Sequence, residues 1–101
     1  MTEFAERVRE DQRLLILQRL QSETDYTAHE HLLREGLTEF GHRVSADQMR
    51  GHLAWLDEQG LIILSAGKMI HIATLTLRGE DVATGAARVP GIARPRPGER
   101  R

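Results

Sequence analysis

The stretch Val44–Ile63, VSADQMRGHLAWLDEQGLII, decides how the rest of the chain is read. Ser45 followed by Gln48 fits a capping box, in which each side chain satisfies a free backbone N–H of the other residue. Met49, Leu53 and Leu56 then recur at the helical period, so the segment is a helix with one buried side. Asp47, Gly51, Ala54 and Glu58 fall on the opposite face, with Arg50 and Trp55 at its borders. Gly60 suits the left-handed residue that ends a helix, and an apolar strand starts at once with Leu61. A capped helix, a glycine stop and a strand follow the order of a groove-reading helix and its wing.

Working toward the N-terminus, His42-Arg43-Val44 is a tight turn. Before it lies a helix from about Ala28 to Phe40, with Leu33, Leu37 and Phe40 on one side and Gly41 as its stop. Thr27 and Glu30 have capping-box spacing at its start. The first helix runs from residue 3 to about 21. Its Leu14-Leu15-Ile16-Leu17 run points all round the axis, which calls for packing on several sides. Its N-terminal half carries only the stripe Phe4 and Val8 among charges.

Toward the C-terminus, 61–64 and 69–76 read as two strands around Ser65-Ala66-Gly67-Lys68, a hairpin signal. A short helix follows from Leu77 to about Ala83, with Gly79 counting against it because glycine costs about 1 kcal/mol against alanine. From Gly85 onward three prolines, three glycines and five arginines mark a tail, extended or disordered unless something holds it. The fold class is therefore mainly α with a small β-hairpin. It is a winged helix-turn-helix with a three-helix core, a two-stranded wing and a short C-terminal helix over 1–84, followed by a basic tail over 85–101.

The net charge of −1 conceals a division along the chain. Residues 1–84 hold nine Lys/Arg against fourteen Asp/Glu, whereas 85–101 hold five arginines against one glutamate. An acidic body opposes DNA through its long-range field, and the tail attracts it. There is no cysteine, which excludes disulfides and thiolate metal sites. The longest apolar runs are four residues, far short of a membrane span, and a cytoplasmic protein is expected.

The segments LLILQRL (14–20), LAWLDEQGLI (53–62) and ATLTLRGEDVATG (73–85) resemble bacterial winged-helix regulators. With PGIARP (90–95), the whole chain looks like a family of small proteins of Mu-like transposable phages and prophages, often labelled ArsR-like on fold similarity. The resemblance implies a winged-helix fold and, through it, DNA binding. Metal sensing through cysteines does not carry over, since the chain has none.

On the DNA reading, Ser45, Gln48 and Arg50 meet a groove, where Gln pairs with adenine and Arg with guanine. Arg43, Lys68 and His71 hold phosphates, and Arg88, Arg94 and Arg96 of the tail follow the backbone or enter a minor groove. A plainer reading makes Ser45 and Gln48 caps, and Arg43 and Arg50 solvated charges. Trp55 either covers the neighbouring helix or wing, or marks a surface for a phage or host protein partner. Phe4 and Val8 suit a homodimer contact.

His29, His31, His42, His52 and His71 show no metal-ligand spacing, and solvated or helix-packing roles are expected for them. Neither a cofactor motif nor a catalytic constellation is present, so no enzyme is expected. The function expected is a transcriptional regulator or packaging-associated DNA-binding protein. The alternative is a winged-helix module that binds protein without reading DNA.

Overall fold

The computed structural model describes residues 2–67 and 69–97; Met1, Lys68 and residues 98–101 lie outside the described residues. It is mainly helical, with a three-stranded antiparallel sheet. The elements are α1 (Thr2–Ser22), β1 (Thr27–His29), α2 (Glu30–Glu39), α3 (Ala46–Glu58), β2 (Ile62–Ala66), β3 (His71–Leu75) and α4 (Leu77–Thr84).

The four-residue apolar run of α1 is buried throughout, with Leu14, Leu15, Ile16 and Leu17 at most 4% exposed. It achieves this because α2, α4 and β3 pack around α1, so each direction of the run meets a different neighbour. Met49, Leu53 and Leu56 of α3 are fully buried, as their spacing requires. The capping box of α3 is complete: the Gln48 N–H donates to Ser45 Oγ at 3.0 Å, and the Ser45 N–H donates to Gln48 Oε1 at 2.8 Å.

The start of α2 departs from the expected pattern. Thr27 does not cap the helix but lies in β1, which pairs with β3 and adds a third strand to the expected hairpin. Its hydroxyl meets the Thr74 hydroxyl across the strands at 3.0 Å. The cap is His29, whose Nδ1 accepts the Leu32 N–H. Glu30, freed from a capping role, turns inward and is completely buried. Phe40, expected on the inner face of α2, is its C-cap residue and is half exposed.

The segment after α4 is not an extended tail. Val89 and Ile92 are buried in the core cluster, and the Ala93 N–H donates to the Glu10 carbonyl of α1 at 3.2 Å. Residues 85–97 thus wrap back over α1, which gives a Pro/Gly-rich stretch the hydrophobic anchors that hold it.

Gly79, which weighs against α4 by propensity, is required by packing. A Cβ there would lie 2.1 Å from the Leu61 carbonyl oxygen. Backbone offers no far end to swing aside, so Gly79→Ala is expected to cost about 3 kcal/mol, the upper part of the overpacking range. A urea titration that places the variant within 1 kcal/mol of wild type, to order of magnitude, would contradict this close approach.

Candidate nucleic-acid interface

One buried side chain, that of Glu30, ties the start of α2 to both α3 and the sheet. The Glu30 carboxylate accepts from Arg50 Nε at 2.8 Å, from Arg50 Nη2 at 3.0 Å and from the His71 backbone N–H at 2.6 Å. It therefore joins the start of α2, the middle of α3 and the start of β3. The hydrogen bonds from Arg50, only partly opposed by burial, hold its pKa down to about 2. The same contact raises the Arg50 pKa. Arg50, expected as a free groove contact, is thus half committed inward, although its side chain remains 42% exposed.

Around this node α3 presents Ala46, Asp47, Gln48, Gly51, Ala54, Asp57 and Glu58 to solvent. Ser45 and Gln48 serve as caps, and both remain exposed with their hydroxyl and amide donors uncommitted among the described residues. Asp57 near the end of α3 accepts the Leu64 N–H of β2, so one of the late acids of α3 fastens the hairpin. Arg43 is exposed in the turn. With His31, Arg34 and Glu35 it lines a shallow hollow of about 540 Å³, and Arg34 Nε reaches across it to the Val44 carbonyl at 3.2 Å.

His71 does not stand at the tip of the hairpin. It opens β3 opposite Ala66, its ring is half-buried, and its Nδ1 has no hydrogen-bond partner among the described residues. The tip instead carries Met69, 85% exposed. Lys68, the expected phosphate contact there, lies outside the described residues. Arg88, Arg94 and Arg96 are exposed on the C-terminal segment, fixed in place by its anchors.

Trp55 is in contact with α1 and with the C-terminal segment. The Arg13 guanidinium lies 4.1 Å from its ring centre, and Arg13 Nη1 donates to the Gly91 carbonyl at 3.0 Å. Gly91 has φ +98°, and a Cβ on it would sit 2.8 Å from the Trp55 ring. The tryptophan is therefore a half-buried floor for the C-terminal segment. Its remaining face borders a groove of about 600 Å³ between α1 and α3, where Phe4, Val8, Gly51 and Trp55 converge. Three residues singled out for partner contact on separate grounds thus share one surface.

A polar relay crosses the same region and is not evident from spacing. His42 Nε2 meets Asp11 Oδ2 at 2.8 Å, Gln12 Nε2 meets His42 Nδ1 at 3.4 Å, and His52 Nε2 meets Gln12 Oε1 at 2.9 Å. It fastens α1 to the turn and to α3 through buried Gln12 and His52. The only sequence signal is polar Gln12 two residues before an all-apolar run.

No protein-family model matches the chain. Over 88 residues it is 46% identical to the protein gp26 of Escherichia phage Mu, covering 87% of this chain and 91% of that one. The chain belongs to the gp26 family. A Haemophilus influenzae protein is 42% identical over 76 residues, with 74% of each chain covered. Among solved structures, a chain of the hsRosR-S1 complex superposes with a TM-score of 0.59 at 25% identity. The likeness covers 68% of this chain and spans 61% of that one.

Burial makes His52 acid-sensitive. Desolvation, reinforced by Arg13 and Arg9, lowers its pKa from 6.5 to about 4. The unfolded chain therefore binds a proton that the folded chain refuses, and stability falls as pH drops from 6.5 toward 4. Glu30 adds a second loss, from its ordinary 4.5 down toward 2. His52→Gln, which keeps a donor toward Gln12, is expected to flatten the first window only. Denaturant midpoints measured across both windows check this, and an unaltered slope above pH 4.5 would remove the assignment to His52.

Proposed function

We propose that this protein is a winged helix-turn-helix DNA-binding protein of Mu-like phages and prophages, acting as a regulator or packaging-associated factor. The observation that carries the reading is the capped N-terminal end of α3, exposed beside the turn that holds Arg43 and the Arg34 side chain. A helix N-terminus with flanking arginines suits phosphate contact, and its first exposed side chains suit a groove. The β2–β3 hairpin serves as the wing. The likeness to hsRosR-S1 supports the fold, and membership of the gp26 family supports the phage setting. In this reading the protein acts by binding, with no catalytic step.

Arg43, Arg34 and the exposed arginines of the C-terminal segment supply the electrostatic attraction, because Arg50 is neutralised by Glu30. Arg43→Ala is expected to weaken binding to all duplexes alike and to reduce the slope of log affinity against log salt by about 1. Anisotropy titrations with phage DNA at several salt concentrations measure both. Failure of the wild-type protein to bind at low salt would remove the reading.

A second reading is favoured by the groove between α1 and α3. Phe4 is 65% exposed at its rim, and a second copy of the chain offers the same apolar stripe on its own α1. Phe4→Glu is expected to convert a dimer to a monomer without lowering thermal stability. Light scattering coupled to gel filtration decides this, and a wild-type monomer at high concentration would leave the groove without this role.

A further inference from the structure

The guanidinium of Arg50 has two hydrogen-bonding edges, and Glu30 occupies only one. Nε and Nη2 form the side-on edge, and both donate to the buried carboxylate at 2.8 and 3.0 Å. The end-on edge, Nη1 with the second hydrogen of Nη2, has no hydrogen-bond partner among the described residues, although Asp47 lies close enough to interact with the guanidinium charge. Glu30 cannot swing away, since it is fully buried and also held by the His71 backbone N–H. The arginine is therefore clamped from behind, with its side chain 42% exposed. Next to it Gly51 has open space where a Cβ would stand, so a partner can approach the α3 backbone closely.

We propose that Arg50 is a preset reader of guanine in the major groove and that Glu30 is its positioning residue, an inference that rests on the DNA reading above. Guanine presents two adjacent acceptors, O6 and N7, which match a two-pronged donor edge. A clamped arginine loses less rotamer freedom on binding than a free one. Because the Arg50–Glu30 pair is close to neutral, it adds little to long-range attraction. Its contribution is discrimination between bases at one position, whereas Arg34 and Arg43 set affinity without regard to sequence.

The purified full-length protein is used to select from a library of random duplexes, and affinities are then measured on the selected duplex. One guanine is expected to dominate one position. Arg50→Lys keeps the charge but loses the fork, and is expected to weaken binding to that duplex about tenfold to a hundredfold. On a duplex with that guanine replaced by adenine, the same substitution is expected to change little. Replacing the guanine by 7-deazaguanine, which leaves the protein untouched, is expected to reproduce the loss even if the variant folds poorly.

Equal weakening on both duplexes would reduce Arg50 to a staple between helices, and tolerance of 7-deazaguanine at every position would overturn the assignment to guanine. Wild-type binding without a guanine preference would defeat this inference and leave the DNA reading standing. No wild-type binding would defeat both.

Discussion

A carboxylate buried in a protein interior has to be surrounded by donors, and Glu30 meets that demand from two distant parts of the chain. Its partners lie 20 and 41 residues away, on the middle of α3 and at the first residue of β3. The carboxylate is buried, so losing either partner leaves a buried charge with an unmet acceptor. The placement of α3 against the hairpin is consequently held by electrostatics as well as by apolar packing. Three directed hydrogen bonds on one carboxylate add orientation to the apolar packing of Met49, Leu53 and Leu56. The same contact decides which charges are available to a ligand. It removes Arg50 from the long-range field of an already acidic body and leaves attraction to Arg34, Arg43 and the arginines of the C-terminal segment.

Periodic features of the fold were legible in the sequence. Met49, Leu53 and Leu56 identify the inner face of α3, the four apolar residues from Leu14 identify the enclosed part of α1, and Ser45 with Gln48 mark a cap. Each of these signals is local, and each is enforced by local physics. The features that escaped are long-range. A three-residue strand such as Thr27–His29 has no period to detect, and the Thr27–Glu30 spacing imitates a capping box. What overrides the imitation is the donor set waiting at Arg50 and His71, which no window of neighbouring residues reveals. Gly79 shows the same limit: its propensity argues against a helix, while the Leu61 carbonyl that excludes any side chain lies 18 residues earlier.

The candidate site was half legible for similar reasons. The exposed positions of α3 and the turn arginine follow from helical geometry. Trp55 was visibly off the inner face, but nothing near it indicated that Gly91 and Arg13 would cover it. The signal available was Val89 and Ile92, the large apolar residues of a proline- and arginine-rich stretch. Two isolated apolar residues anchor a segment only when a surface is ready for them, and α1 with Trp55 supplies that surface. Their anchoring alters the electrostatic argument. Arginines on a held segment contribute from fixed positions and lose less freedom on meeting phosphates than those on a free tail.

The groove and the reading face cannot be treated as independent surfaces. Gln48 and Gly51 line the groove between α1 and α3, and the same two residues lie on the face of α3 that a DNA groove would meet. Gly51 has no atoms within 4 Å of its missing side chain, which admits either a duplex or a packed helix but not both together. A second copy seated on Phe4, Val8 and Trp55 would bring its bulk alongside the capped end of α3. Association through this groove and insertion of α3 into DNA would then compete, and their coupling would be negative and reciprocal.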